Sequence, residues 1–355
     1  MKYEYTIFIG KYTKGNSKGI YKINIDVQTG KFINKELISE TINPSFLAVH
    51  PNKKKLYAVN EVADFDNKET GSVSEFGIDQ QSLKLKLINI FQTGGKSPCY
   101  VNVDNKNNYV FVANYNGGNV AMFPANIDGN IQEFSDIKTH LGKSINLKRQ
   151  NKPHAHSIIY DSSNDVVLAC DLGIDKIMLY SIDKINNKLI RYKQPFIELP
   201  PGSGPRHICL HPNEQYFFVI NELNSTVTVF KYNPDLTISK IQDISILPVD
   251  FKEENFAGDI HCSNDGKYIY ATNRGQNSIS VLLFEESSGK LKVIENISTQ
   301  GDWPRNFAIS EDNKYLVVAN QKGNNIVLFE IQDNGIPKYT GEQINIDSPV
   351  NVLFY

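Results

Sequence analysis

The chain has 355 residues, of which 40% are hydrophobic and 21% are charged, and its formal net charge at pH 7 is −2. This composition is typical of a soluble globular protein with a sizeable core, and the charge gives no reason to expect nucleic acid or an acidic membrane as a partner. No stretch approaches the roughly 20 apolar residues of a membrane-spanning helix. The apolar run before Gly10 is also too short for a signal peptide.

The four cysteines indicate a reducing compartment. Cys99, Cys170, Cys209 and Cys262 lie far apart, without CxxC spacing, each inside or beside a predicted strand. Buried reduced thiols are the expected state for such residues, rather than disulfides or metal ligands. We therefore expect a cytoplasmic protein.

The predicted elements are strands from one end of the chain to the other. Three come first, over residues 5–9, 19–25 and 32–38, and a β-hairpin with a His-Pro-Asn turn follows at residues 44–60. The same hairpin recurs at residues 98–114, 155–171, 205–221, 257–273 and 304–320. After each hairpin come a third strand, such as residues 119–123 or 226–230, and a less regular fourth strand.

The repeat period predicts the fold. The hairpins start about 50 residues apart, and four strands per unit at that period indicate a β-propeller rather than a sandwich. Residues 349–355 form a first strand with nothing after it, while the three N-terminal strands lack a first strand. Joining the two ends completes a seventh blade and removes exposed sheet edges. We predict an all-β, seven-bladed propeller of four-stranded antiparallel blades, in a single domain over residues 1–355.

A long insertion, roughly residues 124–153, precedes the third repeat. It is weakly hydrophobic and contains Gly142 and the basic pair Lys148-Arg149. A loop of this length within a compact domain is commonly functional, but a solvated surface excursion is an equally good interpretation.

The hairpin at residues 205–221 carries unusual residues at its open end. Counting outward from the turn places Arg206 opposite about Asn221 and Pro205 opposite about Glu222. Such residues lie side by side in an antiparallel pair. One edge of this hairpin therefore presents Arg206, His207 and Glu222.

Residues shared by most repeats are expected to serve the blade rather than a reaction. His50 and His211 belong to His-Pro-Asn turns, and a recurring asparagine closes the second strand by binding neighbouring backbone. The copies of this asparagine are Asn60, Asn114, Asn221, Asn273 and Asn320.

Residues that break the repeat are the better candidates for function. They lie at the starts of first strands and the ends of second strands, which are expected on one face of the disc around its axis. They are His154, His156, Asp171, Arg206, His207, Glu222, Asp259, His261, Arg274, Arg305 and, in the place that Glu222 holds, Glu61.

The residue types suggest acid–base chemistry on an anionic ligand. Three arginines at one kind of position (Arg206, Arg274 and Arg305) suit a carboxylate or phosphate. Glu222 is the candidate general base, with a nearby histidine supplying a proton. His154 and His156 are a weak metal signal, so no metal and no cofactor are predicted. No nucleophile elbow, Walker loop or dinucleotide fingerprint is present.

Several stretches resemble the bacterial lactonase family of seven-bladed propellers, which includes propeller-type 6-phosphogluconolactonases and is related to the fungal carboxymuconate lactonizing enzyme. The stretches span the chain in order, and the family's usual threonine in the first of them is Lys11 here. They are FIGKYT (8–13) with KGIY (18–21), ANYNGG (113–118), RQNKPHAHS (149–157), DLGIDK (171–176), GPRH (204–207) with NEL (221–223), and WPRNF (303–307).

The resemblance implies a site and a reaction. It implies that His156 or His154 lines the site with Arg206, Glu222 and Arg274, and that the reaction opens 6-phosphoglucono-1,5-lactone to 6-phosphogluconate without a metal. We expect the arginines, with Arg305 or Arg149, to hold the phosphate and polarise the lactone carbonyl. Glu222 would activate water, with Glu61 as the alternative base, and His156 would protonate the leaving oxygen. His154, His207, Asp171 and Asp259 are expected to contact the substrate.

Two other functions remain open at this point. A muconate-type cycloisomerase would use the same arginines for substrate carboxylates and the same acid–base pair for addition across a double bond. The second open function is binding of a protein or sugar at the mouth of the propeller, without catalysis. It remains open because fold alone does not determine function. The expected partner is a small anionic lactone, with no nucleic acid and no membrane.

Overall fold

The computed structural model describes residues 4–13, 17–104 and 108–355, in 28 strands and one 3-10 turn. Residues 1–3 of the N-terminal run and the turn residues 105–107 of the second repeat lie outside this description. Among the described residues, no helix is long and apolar enough to cross a membrane.

The strands group into seven four-stranded antiparallel sheets, and the strands of a sheet are neighbours in the chain in all but one of them. In chain order they are β1 (Glu4–Lys11), β2 (Gly19–Asp26), β3 (Lys31–Glu40), β4 (Pro44–Val49), β5 (Lys55–Asn60), β6 (Ser72–Ile78), β7 (Leu85–Gln92), β8 (Pro98–Val103), β9 (Tyr109–Asn114), β10 (Asn119–Pro124), β11 (Asp136–Thr139), β12 (Ala155–Asp161), β13 (Val166–Asp171), the 3-10 turn Leu172–Ile174, β14 (Lys176–Asp183), β15 (Lys188–Glu198), β16 (Pro205–Leu210), β17 (Tyr216–Asn221), β18 (Thr226–Tyr232), β19 (Ile238–Ser245), β20 (Phe256–Cys262), β21 (Tyr268–Arg274), β22 (Ser278–Glu285), β23 (Lys290–Ser298), β24 (Pro304–Ile309), β25 (Tyr315–Asn320), β26 (Asn325–Ile331), β27 (Pro337–Asn345) and β28 (Pro349–Phe354).

The chain divides into two compact units. The terminal unit comprises Met1–Leu37 with His207–Tyr355, and the middle unit comprises Ile38–Arg206. The middle unit holds the sheets β4–β7, β8–β11 and β12–β15, and the terminal unit holds essentially the other four.

The exceptional sheet joins the two ends of the chain. β28 pairs with β1, for instance through Ile9 opposite Val352, and β1 continues to β2 and β3. The predicted seventh blade, made from the C-terminal strand and the three N-terminal strands, is therefore confirmed.

Apolar residues fill the space between consecutive sheets within each unit. The second strands are the most buried, and all six residues of β9 are inaccessible or nearly so. The fourth strands are edges, and β7 exposes most of its residues. One core cluster of the middle unit packs Phe111 and Met122 of one sheet against Ile158 and Ala169 of the next. Burial of these large side chains is the main stabilising contribution in such a fold.

Part of the predicted insertion is a strand. β11 pairs with β10 as the fourth strand of its sheet, with Val120 opposite Lys138 and Met122 opposite Asp136. The interpretation of residues 124–153 as a loop was wrong for this segment, because its four residues are too few and too polar to show strand alternation.

A β-bulge recurs at the second residue of the first strands, and we call this residue the bulge position. Pro44 pairs with Asn60, Phe46 pairs with Val59, and Ser45 between them is unpaired. The hairpins that start at residues 98, 155 and 304 repeat this pattern. A count without the bulge is therefore one residue out in each of these four hairpins. Bulges bend a strand and redirect a side chain.

The shared asparagines bind the local structure, as predicted. The Asn114 amide donates to the carbonyl of Thr93 at 3.0 Å, and the Asn320 amide donates to that of Thr299 at 3.0 Å. Asn221 instead binds two hydroxyls, those of Thr226 and Thr228, at 2.9 Å each. In the His-Pro-Asn turn at residues 211–213, the His211 imidazole contacts the Gly266 carbonyl at 2.9 Å.

Candidate functional site

Most of the predicted residues occupy one of two places in the repeat. His156, Arg206 and Arg305 hold the bulge position of their hairpins, with Ser45, Cys99 and Gly258 in the other copies. Glu61, Glu222 and Arg274 follow the recurring asparagine, with Tyr115, Leu172 and Gln321 in the other copies. Functional groups thus enter at the positions where the ladder of the hairpin is irregular or has ended.

Glu222 and Arg274 form a buried ion pair in the terminal unit. The guanidinium Nη2 of Arg274 lies 2.7 Å from Oε2 of Glu222, and both side chains are about 95% buried, with exposed fractions of 5% and 4%. The guanidinium also donates to the backbone carbonyls of Ala257 at 2.6 Å and Phe256 at 3.3 Å. Both charges are held in place and shielded from water, so each group interacts strongly with a polar atom that binds directly beside it.

The ring of Trp303 lies next to this pair. The Arg274 guanidinium carbon is 5.6 Å from the ring centroid, and the Lys322 ammonium is 3.1 Å from it. Trp303 has a positive φ of 65°, and its amide donates to the Asn277 side chain at 2.9 Å. The side-chain bond therefore helps to hold an unusual backbone conformation that sets the position of the indole.

Arg305 is partly exposed and binds a tyrosine. Its Nη2 donates to the hydroxyl of Tyr12 at 3.0 Å, and its guanidinium carbon lies 5.5 Å from the same ring. Tyr12 follows Lys11, which pairs with Pro349 and so takes the place of the recurring asparagine. Arg305 is thus a positioned cation near solvent, in contrast to the buried Arg274.

Asp259 is the centre of a polar belt in the terminal unit. The belt consists of the residues that follow the bulge position in four consecutive first strands: His207, Asp259, Asn306 and Asn351. Asp259 contacts His207 Nδ1 at 2.6 Å and accepts a bond from the Asn306 amide. The Asn351 amide in turn donates to Asn306 at 3.3 Å. These contacts link the four sheets of the unit.

His261 joins the belt from the side. Its Nε2 lies 2.9 Å from Oδ2 of Asp259, and its side chain is 41% exposed. Burial alone would raise the pKa of Asp259, but His261 and His207 outweigh this effect and hold that pKa well below its usual range. Burial would lower the pKa of His261, yet Asp259 raises it overall. Asp259 is therefore a carboxylate in a structural network.

Asp171 has a similar role in the middle unit. Its carboxylate contacts His140 Nδ1 at 2.6 Å and accepts the backbone amides of His154 at 2.7 Å and Gly173 at 2.9 Å. His140 Nε2 is 3.0 Å from the hydroxyl of Tyr180. Asp171 and His140 have no solvent exposure. Asp171 therefore positions the backbone of His154.

His154 is a neutral imidazole between aromatic and polar groups. Its Nδ1 donates to the carbonyl of Tyr115 at 3.1 Å, and its ring stacks on that of Tyr115 at 4.4 Å between centroids. Burial lowers the pKa of His154, against the opposing effect of the Tyr115 carbonyl. With Nδ1 as donor, the neutral ring has Nε2 as an acceptor.

His156 and Arg149 meet the same tyrosine. The His156 ring approaches Tyr115 edge-on at 5.4 Å, and the Arg149 guanidinium donates to the Tyr115 hydroxyl at 3.2 Å. His154, His156 and Arg149, which come from the single stretch RQNKPHAHS (149–157), are thus grouped around Tyr115 within the middle unit.

The remaining predicted residues are Arg206 and Glu61. Arg206 is 2% exposed, and a guanidinium keeps its charge even when it is buried. The backbone of Glu61 is bonded to Asn43, whose carbonyl accepts its amide at 3.0 Å. In the described part of the chain, no group of three or more His, Cys, Asp or Glu side chains is arranged to hold a metal ion.

Four contributors were missed in the sequence. Asn306 and Asn351 occupy the belt position, and Tyr115 follows a recurring asparagine, so alignment of the repeats against one another would have singled them out. His140 lies in the segment that was interpreted as an insertion, and only its buried contact with Asp171 reveals its role.

Comparison with known proteins agrees with the fold. The family model described as "Lactonase, 7-bladed beta-propeller" matches residues 6–354. The chain belongs to this family. It is accordingly an enzyme of the lactonase group with a seven-bladed β-propeller fold, as the repeat analysis predicted.

The chain is similar to two curated relatives over nearly its whole length. It is 36% identical to the 6-phosphogluconolactonase of Bacillus subtilis, over 99% of this chain and 97% of the relative. It is 35% identical to the 6-phosphogluconolactonase of Formosa agariphila, over 91% of each chain. Among solved structures, the periplasmic gluconolactonase of Pseudomonas aeruginosa matches with a TM-score of 0.92 and 28% identity, over 99% of each chain.

Proposed function

We propose that the protein hydrolyses a sugar-acid lactone, with 6-phosphoglucono-1,5-lactone as the substrate and 6-phosphogluconate as the product. The observation that carries the proposal is the buried Glu222–Arg274 pair in a chain of the lactonase family. Water attack on an ester carbonyl needs a base for the water and a positive charge for the carbonyl oxygen. This pair offers both groups 2.7 Å apart.

The reaction can be written with these groups. Arg274, held by the carbonyls of Ala257 and Phe256, stabilises the negative charge that develops on the lactone carbonyl oxygen. Glu222 takes a proton from the attacking water. The C–O bond of the ring then breaks, and the ring oxygen leaves as the sugar hydroxyl once it has gained a proton.

Three other roles belong to this proposal. His156 supplies the proton to the leaving oxygen, or His154 does so once its acceptor Nε2 has taken up the proton released by the attacking water. Arg206 adds positive charge for the carbonyl. Arg305 binds the phosphate, which its partly exposed guanidinium and its anchoring to Tyr12 favour. No step requires a metal.

Specificity depends on whether the lactone carries a phosphate. Two relatives are named 6-phosphogluconolactonase, whereas the Pseudomonas protein is named gluconolactonase. The test offers the purified protein freshly made 6-phosphoglucono-1,5-lactone or glucono-1,5-lactone, with and without a chelator. We expect acceleration over spontaneous opening with both, a higher kcat/KM for the phosphorylated substrate, and no loss with chelator.

The variant Arg305→Ala separates phosphate binding from chemistry. It should raise KM for the phosphorylated lactone by about 10- to 100-fold, the usual range for a lost charged hydrogen bond, and leave kinetics on the unphosphorylated lactone nearly unchanged. No acceleration of either lactone by the wild type would refute lactone hydrolysis. Equal effects of the variant on both lactones would refute only the phosphate role.

A cytoplasmic location is also proposed. Its support is that all four cysteines are reduced thiols rather than members of disulfides. Fractionation of cells expressing the native gene should recover the protein with cytoplasmic markers. Recovery with periplasmic or secreted markers would contradict the proposal.

A further inference from the structure

A concave site lies in the middle unit, and its lining includes His140 and Tyr180 from the contacts of Asp171 described above. It is a cleft of about 590 Å³ between β11 and the β14–β15 pair. That volume is within the usual range of small-molecule sites, roughly 300–1,000 Å³. We call it the β11–β15 cleft.

A large bulge in β15 makes this cleft. Met178 pairs with Phe196 and Tyr180 pairs with Arg191, so four residues of β15 stand opposite a single residue of β14. Pro195, within this bulge, lines the cleft. At the start of β15, the Leu189 amide donates to Asp136 at 2.8 Å and ties the strand to β11. The concavity is therefore built into the strand pairing.

The walls are largely apolar and partly open to solvent. Leu141 is 86% exposed, Ile190 is 48% exposed and Phe196 is 36% exposed. Ile174 and Met178 also contribute to the lining. Clustered exposed apolar side chains around a concavity favour the binding of an apolar group.

Three cations surround this apolar surface. Lys138 is paired with Asp136 at 2.9 Å, and Lys176 is paired with Glu198 at 3.1 Å while its ammonium lies 4.0 Å from the Phe196 ring centroid. Arg191 forms no ion pair within the described ranges of the chain. With three positive and two negative side chains, the cleft has an excess positive charge centred on Arg191.

We propose that the β11–β15 cleft binds an amphipathic organic anion, a compact aromatic or aliphatic body that carries one carboxylate, sulfonate or phosphate group. The body packs against Leu141, Ile174 and Phe196, and the anionic group pairs with Arg191. This binding does not depend on lactone hydrolysis and persists whatever reaction the protein catalyses.

The test uses 1-anilinonaphthalene-8-sulfonate, an aromatic anion that becomes fluorescent in apolar sites. Titration of the folded wild type should show saturable binding of one molecule per chain. Octanoate should displace it, whereas octanol, which has the same apolar body without the charge, should displace it at least tenfold less effectively.

Matched variants locate the site. Arg191→Gln should weaken probe binding by about 10- to 100-fold, the range expected for a lost charged hydrogen bond. Lys193→Gln removes a cation from the same bulge that does not line the cleft, and it should bind as the wild type does. Phe196→Ala should also weaken binding. Thermal unfolding of each variant shows whether it is folded.

Two results would overturn the proposal. One is the absence of saturable binding to the folded wild type. The other is evidence that the charge of the cleft has no role. That evidence would be equal weakening of probe binding by Arg191→Gln and Lys193→Gln, or displacement of the probe by octanol as effectively as by octanoate.

Discussion

Lys11 is a charged residue where most other repeats have a neutral amide. It pairs with Pro349, as Asn320 pairs with Pro304, yet it is only 2% exposed. Its ammonium lies 4.7 Å from the Tyr21 ring centroid. Burial lowers the pKa of Lys11 to about 8, with Asp347 acting in the opposite direction. The folded state therefore disfavours the charged form of Lys11.

The variant Lys11→Met should be more stable than the wild type at pH 7. The pKa in the folded state is below that in the unfolded state, so the wild type carries the full cost of the buried charge below about pH 8 and regains stability as pH rises from about 8 toward 10.5. We expect an advantage for the variant of about 1–2 kcal/mol at pH 7 that shrinks toward pH 10. Urea unfolding of both proteins across this range measures it, and a difference that is constant with pH would contradict the assignment.

Asp259 shows that the type and sequence position of a residue do not reveal its role. The sequence led us to expect a contact of Asp259 with the substrate, but a carboxylate at this position can equally serve the structure. Its contacts with His207, His261 and Asn306 give it a role in joining strands. These partners come from three different repeats, and a single sequence gives no distances between repeats.

The variant Asp259→Asn should remove an acid-sensitive contribution to stability. The pKa of Asp259 is depressed in the folded protein, so its contribution is complete above the unfolded pKa of about 3.9 and is lost as pH falls below it. The stability difference between wild type and variant should therefore be largest between the unfolded pKa values of Asp259 and His261 and shrink below about pH 4. It should also shrink as pH rises through the raised pKa of His261, whose charged form Asp259 stabilises. Denaturant unfolding at several pH values measures this, and a difference that grows below about pH 4 would be inconsistent with a depressed pKa of Asp259.

At the scale of elements, the recurring bulge shifts the register of the first strands at the positions where several candidate site residues lie. Gly258 holds the bulge position in β20, where other hairpins have Ser45, His156 or Arg305. A Cβ on Gly258 would come within 2.4 Å of the Thr272 hydroxyl and 2.7 Å of the Pro304 carbonyl oxygen. The backbone of this bulge is therefore packed against the next first strand.

Gly258→Ala should destabilise the protein by about 1–3 kcal/mol, as overpacking of a tight site does. Ser45→Ala is the matched control, because it changes the same repeat position where the buried hydroxyl has no hydrogen-bond partner. It should be within about 0.5 kcal/mol of the wild type. Equal effects of the two changes in urea unfolding would show that the close approach at Gly258 is tolerated.

The elements were largely predictable because strand alternation and turn residues are local signals. The six hairpins, the third strands and the seventh sheet follow from the sequence. The bulges and β11 do not, since a bulge changes pairing without changing composition, and β11 has only four residues. The large bulge in β15 and the cleft that it forms were missed for the same reason.

At the scale of the whole molecule, the pairing of β28 with β1 connects the two ends of the chain. Val352 is 4% exposed in a core cluster with Ile7 and Ile9 of β1 and with Val317 of β25. Without β28, strand β1 would become an edge with unpaired backbone groups and exposed isoleucines. This pairing is therefore expected to be essential for stability.

Deletion of residues 349–355 should prevent stable folding or reduce the thermal midpoint by more than 10 °C. The substitution Tyr355→Ala, which leaves the ladder intact, should have a much smaller effect. Soluble yield, circular dichroism and thermal unfolding test both variants. A truncated protein that unfolds like the wild type would show that β28 contributes little.

The central claim is that Glu222 and Arg274 carry out the hydrolysis of a lactone. The direct measurement is kcat on freshly made 6-phosphoglucono-1,5-lactone for wild type, Glu222→Gln and Glu61→Gln, with thermal unfolding as the check on folding. Glu61 holds the same repeat position in another sheet and is the matched control. We predict that Glu222→Gln lowers kcat by about 100- to 10,000-fold, the usual contribution of a general base, and that Glu61→Gln stays within about threefold. A folded Glu222→Gln variant with near wild-type turnover would contradict the account, and a large loss in Glu61→Gln alone would identify that residue as the base instead.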